Sequence, residues 1–164
     1  EYAPKPALIL AGRGAILRTT AQLAAHMDFE LHLASPDLED LARLEELNPT
    51  TRQSMTSPSA ATDLAIDAYS AVLLVFHDHE WEQAILMQVS QNNPFFIGAL
   101  GSRKTHAMRV ERLKQAGLSE TQCAQIQGPI GLVPSLRNAS LIAVSALAEI
   151  TAKLPPFQVR LSSS

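Results

Sequence analysis

The chain is poor in cysteine: Cys123 stands alone among 164 residues, which leaves no intramolecular disulfide and fits a reducing, cytoplasmic setting. It sits in the polar run TQCAQIQ and reads as structural. No apolar run approaches the roughly 20 residues needed to cross a bilayer, so a membrane role is not expected. No excess of basic residues is present either. The net charge is −3, with a pI near 5.9, and nucleic acid is not an expected partner. Any anion site must therefore be local. Glu1 to Pro6 is polar and proline-broken, unlike a secretory signal, and the absence of an initial methionine leaves a longer parent chain open. Internal repeats are absent. What is present is a globular composition, 46% hydrophobic and 18% charged, in a length suited to a single domain.

The apolar segments alternate with helical patterns. ALILA (7–11) and FELHLA (29–34) read as strands around a helix in GRGAILRTTAQLAAHMD, forming a βαβ start. DLEDLARLEELN is a short helix with Asp37 as its cap, and TTRQSMT is a polar edge-strand candidate. SPSAATDLAIDAYS reads as a linker. AVLLVFH (71–77) and PFFIGAL (94–100) are the next strands. HEWEQAILMQVSQNN, a helix over 102–116, a capped segment at LSETQCAQIQ and a long helix in RNASLIAVSALAEITAKL complete the pattern. The expected fold is α/β: a doubly wound, mostly parallel sheet with helices on both faces, Rossmann-like. A single domain spans 1–164, with a 6–154 core and 155–164 as a C-terminal tail or an edge strand at FQVRL.

Three loops then follow strands and should gather at the carboxyl edge of the sheet, where open α/β folds bind ligands. Gly12-Arg13-Gly14 lets a helix N-terminus approach a phosphate, or simply packs helix on strand. The full dinucleotide fingerprint fails at Leu17, and Ser35 stands where a ribose-binding acid belongs. His77-Asp78-His79 would put both imidazoles on one side, but two ligands do not close a metal site. No metal is expected there; Asp78 reads as a helix cap. Gly101-Ser102-Arg103-Lys104 puts a hydroxyl and two cations at a helix start, against the macrodipole, which makes sense if a bound anion compensates. Arg109, Arg112 and Lys114 read as a solvated basic strip along that helix. The turn at Gly12–Gly14 and the pair Ser102–Arg103 are expected to converge on one anion pocket.

FHDHEWEQ, IGALGSRKTHAMRVERLKQAGLSE, GPIGL and SLIAVSALAEI resemble, in order, the C-terminal domain of the XdhC/CoxI proteins over roughly residues 7–152. The resemblance implies a Rossmann fold and an accessory role for xanthine dehydrogenase and related molybdenum hydroxylases. It implies binding of molybdenum cofactor (molybdopterin) and its delivery to the apoenzyme. The motif positions that carry over are His77, Asp78, His79, Gly98, Gly101, Ser102, Arg103, Pro129, Ile130, Gly131 and Leu132. Together with Gly12, Arg13 and Gly14, the residues assigned here to cofactor binding are His77, Asp78, His79, Gly101, Ser102, Arg103, Pro129, Ile130 and Gly131. Loop amides of PIGL are expected to meet the pterin edge. The chain departs from the family at Ala15, Ser35, Gln127 and Val133, and at Asn138-Ala139-Ser140-Leu141.

The leading reading is a cofactor-binding maturation chaperone, not an enzyme, that docks on a xanthine dehydrogenase-like apoenzyme. The alternatives are an NAD(P)-dependent oxidoreductase, which lacks its ribose acid and any Tyr-x-x-x-Lys pair, and a degenerate Rossmann interaction or oligomerisation module. A homodimer stays open.

Overall fold

The computed structural model describes residues 5–58 and 64–156. Six strands form one sheet, β1 (Ala7–Gly12), β2 (Glu30–Ser35), β3 (Thr51–Ser54), β4 (Ser70–Val75), β5 (Phe96–Ala99) and β6 (Ile126–Gln127). Their spatial order is β3-β2-β1-β4-β5-β6 and every neighbouring pair is parallel. The chain winds outward from β1 to one edge, then returns to lay β4 on the other side of β1. The carboxyl ends of β1 and β4 are therefore the switch point, where the connections leave in opposite directions and open a crevice.

Alternation along the strands builds two cores. Leu8, Leu10, Leu73 and Val75 point to one face and pack with Ile16, Leu17 and Ala21 of α1 (Gly14–Ala24), Leu41 of α2 (Leu38–Arg43), and Leu147 and Ile150 of α6 (Ala139–Ala152). Ile9, Ala11, Val72 and Leu74 point to the other face. There they meet Ile85, Leu86 and Val89 of α3 (His79–Val89), Leu113 of α4 (Arg103–Gln115) and Cys123 of α5 (Glu120–Ala124). Strands buried on both faces must be apolar at every position, which is why β4 reads as an unbroken hydrophobic run. The doubly wound expectation holds.

Asp37 caps α2, its carboxylate accepting from the amides of Glu39 and Asp40. TTRQSMT supplies β3 at the sheet edge. At LSETQCAQIQ the capping box of Ser119 and Gln122 forms, but the helix ends at Ala124. Ile126 and Gln127 then pair with Ile97 and Gly98 as β6, a strand that two residues could not announce. FQVRL lies outside the described residues. Among the described residues no helix is long and apolar enough to cross a membrane.

Candidate functional site

At the end of β1 the first glycine is required by the sheet. A Cβ on Gly12 would lie 2.4 Å from Val75 Cγ2 and 2.5 Å from the Val75 carbonyl oxygen. Gly14 opens α1 with a φ of +80°, a conformation that side-chain-bearing residues rarely take. Its amide is already engaged: Gly14 N–H donates to Asp40 Oδ2 at 2.7 Å, while the guanidinium of Arg18 binds Asp40 Oδ1. Asp40, on α2, is buried. Burial alone would raise its pKa, but the Gly14 amide, the Arg18 hydrogen bond and charge, and the charge of Arg43 together bring it below the ordinary 3.8. A lowered aspartate pKa stabilises the fold above 3.8, and that contribution is lost as pH falls. The melting-temperature advantage of wild type over Asp40→Asn should thus be steady near neutrality and shrink below about pH 4. A gap that survives acidification would assign the effect to packing.

Ser35, where a ribose-binding acid is expected in dinucleotide folds, is fully buried, and its hydroxyl accepts from the Asp37 amide. The next loop also differs from expectation. Asp78 occupies the N-cap position of α3, but its side chain makes no capping bond. It instead faces Arg13, 3.5 Å away, across the switch point. Both side chains are substantially exposed, so the pair orients the two loops more than it stabilises them. The two histidines border different pockets. His77 lines a surface pocket, whereas His79 lies over the small gap between α3 and α4. Among the described residues no three His, Cys, Asp or Glu side chains gather as a metal-binding group.

The loop after β5 builds the pocket. Gly101 turns the chain with a φ of +137°, and Ser102 caps α4 by accepting from the Thr105 amide at 3.1 Å. Arg103 and Lys104 follow on the first exposed turn. Opposite stands the β6–α6 loop, entered through a cis Gly128–Pro129 bond. Its amides are held by α6: Gly131 donates to Glu149 Oε1 at 2.8 Å, Leu132 to the Ser145 carbonyl at 3.3 Å, and Val133 to Ser145 Oγ at 2.9 Å. The amides of Gly131, Leu132 and Val133 are thus engaged within the protein, whereas the sequence expectation had the PIGL amides facing a pterin edge.

Between the two loops lies a pocket of about 620 Å³. Its walls include His77, Gly101, Ser102, Arg103, Lys104, Pro129, Ile130 and Arg137, with Leu100, Val133 and Ile142 supplying apolar surface. Among the described residues no carboxylate lines it, and Arg103, Lys104 and Arg137 form no ion pair. Of the residues singled out from the sequence, His77, Gly101, Ser102, Arg103, Pro129 and Ile130 come together here. Gly12, Arg13, Gly14, Asp78, His79 and Gly131 do not line this pocket, so the expected convergence of the glycine turn with Ser102–Arg103 on one pocket is not seen. Arg137 was missed: its only signal was a third cation just before a helix cap.

Arg109 is the other residue sequence reasoning misplaced. Far from being solvated, it is 97% buried, and its Nε donates to Glu82 Oε1 of α3 at 2.6 Å. Its Nη2 donates to the Leu100 carbonyl, and its Nη1 meets His106 Nδ1 at 2.9 Å. Since an arginine only donates, His106 accepts there and is neutral. Burial, then the Arg109 charge, lower the His106 pKa. Burial raises that of Glu82, against the pull of Arg109. One guanidinium thus ties α3, α4 and the turn that presents Ser102. The His106 ring fills the place a Gly128 side chain would take, 2.2 Å from such a Cβ. A carboxylate at an inward position of α3, three and four residues before Ile85 and Leu86, was the available hint.

Comparison with known proteins agrees with this architecture. The profile of the XdhC Rossmann domain matches residues 8–150. The molybdenum cofactor insertion chaperone PaoD of Escherichia coli K12 is 32% identical over 149 residues, which are 91% of this chain and 40% of PaoD. The uncharacterized protein YqeB of the same organism is 28% identical over 152 residues, 89% of this chain and 27% of YqeB. A crystal structure described as a xanthine dehydrogenase from Bacillus halodurans superposes with a TM-score of 0.74 at 21% identity, covering 92% of this chain and 43% of that one. The chain thus spans less than half the length of each of these relatives.

Proposed function

The chain belongs to the XdhC Rossmann-domain family, and from that premise we propose that it is an accessory protein that binds an anionic pterin, the molybdenum cofactor, for delivery to a molybdenum hydroxylase such as a xanthine dehydrogenase. The observation that carries this reading is the pocket between the α4 turn and the β6–α6 loop. Three cations, Arg103, Lys104 and Arg137, line it, and among the described residues no carboxylate does. All three are exposed, and like charges around one opening repel until an anion bound among them relieves the repulsion. Arginine forks suit a phosphate.

The residues fit the group. Leu100, Ile130 and Ile142 offer apolar surface to a flat ring, and the cations suit the phosphate at its end. The bound cofactor would supply the metal and dithiolene chemistry that the receiving enzyme uses. This chain's own part is to hold the phosphate, shield the ring and release both. Val133 lines the pocket, and Leu132, Leu141 and Val144 each adjoin a lining residue in the chain; all four are more than half accessible. An apolar rim beside a charged pocket suits a partner that docks over the mouth and receives the ligand directly. The resemblance to PaoD, an insertion chaperone by name, supports the same role. The chain is read as acting without catalysis, in the cytoplasm, and without NAD(P).

The test is direct. Protein purified from cells that make molybdenum cofactor, then oxidised, should release pterin fluorescence in near-stoichiometric amount. An Arg103→Ala/Arg137→Ala double variant should retain little. Wild-type protein that carries no pterin and takes none up from a donor would sink the proposal.

A further inference from the structure

The crevice at the switch point has two halves, and the first is closed. In a dinucleotide-binding Rossmann fold the pyrophosphate rests on the amides at the head of α1. Here that place holds a carboxylate of the chain itself. Asp40 Oδ2 lies 2.7 Å from the Gly14 nitrogen, the distance at which a phosphate oxygen would accept the same bond. Its other oxygen binds the Arg18 guanidinium, one turn along α1, so that cation is neutralised as well. The carboxylate is no surface group that swings aside: its side chain is 97% buried, and Asp37 bonds the Asp40 amide at the start of α2, fixing the turn that delivers it. Arg13, the remaining cation of this loop, faces Asp78.

We propose that Asp40 is a built-in phosphate surrogate and the specificity-determining residue of the crevice, excluding ligands that seat a phosphate at the head of α1 and confining anions to the half lined by Arg103, Lys104 and Arg137. A phosphate approaching Gly14 meets a fixed negative charge at van der Waals range and finds the amide and Arg18 already bonded. ADP and NAD in the usual Rossmann pose are thereby refused, whatever the cargo of the other half. The inference does not depend on the pterin reading.

The probes are ADP and NAD, titrated into isotope-labelled protein while the amide resonances are followed. In wild type near neutral pH, Gly14 and Arg18 should stay silent up to millimolar ligand, even where Ser102 to Lys104 respond. Asp40→Asn, which keeps the shape and removes the charge, and Asp40→Ala, which empties the place, should make Gly14 and Arg18 respond. ADP affinity should rise by about tenfold or more, the scale of one charge-assisted contact. A wild-type Gly14 that shifts with ADP or NAD overturns the proposal, and so does a variant that melts cooperatively yet stays silent there. The wild-type titration decides the matter even if neither variant folds. Silence at both halves would count against the pterin pocket while leaving the role of Asp40 intact.

Discussion

Arg109→Ala is expected to lower the melting temperature by on the order of 10 °C, although the position lies on a helix whose sequence is mostly charged. The reason is what the substitution leaves behind. Glu82 is 4% exposed at its side chain, and Arg109 is its only cationic hydrogen-bond partner among the described residues. Removing one member of a buried ion pair typically costs ~3–5 kcal/mol, because the survivor keeps its desolvation penalty. The Leu100 carbonyl and His106 Nδ1 lose their donor as well. Arg109→Lys should recover only part of the loss, since one ammonium cannot reach three acceptors that a planar fork serves together. A double variant, Arg109→Met with Glu82→Leu, should melt above Arg109→Met alone, because no charge is then left orphaned. If the double variant is the less stable of the two, the pair is held by packing and not by electrostatics. The turn presenting Ser102 and Arg103 hangs from this guanidinium through Leu100, so ligand binding should weaken in the single variants even below their melting points.

Arg103→Ala should behave in the opposite way, leaving the fold intact and the ligand lost. Arg103 is exposed, begins α4 and makes no ion pair among the described residues. A cation at a helix N-terminus opposes the macrodipole, so its removal should leave stability unchanged or raise it by at most ~1 kcal/mol. A charge-assisted hydrogen bond to a phosphate contributes ~1.5–3 kcal/mol, and cofactor affinity should fall by about one to two decades. Arg103→Lys restores the charge without the bidentate geometry and should regain only part of the affinity. Thermal melting and cofactor titration on the three proteins give the answer. A variant that melts several degrees lower while binding as tightly as wild type would make Arg103 a structural residue. Arg137 would then be the sounder place to look for the anion contact.

Much of this protein is local in origin, and the sequence alone determined that part. Apolar runs at 7–11, 71–77 and 94–100, each followed by a helix-period segment, are legible because a strand buried on both faces tolerates no polar position. Alternation of strand and helix forces parallel pairing, and parallel pairing brings the loops after β1, β4 and β5 to one edge. Caps at Asp37 and Ser119 are legible for the same reason, since each is completed within three residues, whereas Asp78, also expected to cap, turns to Arg13 from a distant loop. What only the tertiary structure decided is which distant groups meet there. Asp40 reaches Gly14 across 26 residues, and Arg109 reaches Glu82 across 27. Neither partnership leaves a periodic trace, so the sequence showed neither the carboxylate at the glycine turn nor the burial of Arg109. Two-residue β6 forms only because β5 offers an unpaired edge. Periodicity reports which face of an element is buried. It carries no record of what stands opposite, as Asp40 stands opposite the glycine turn and Glu82 opposite Arg109.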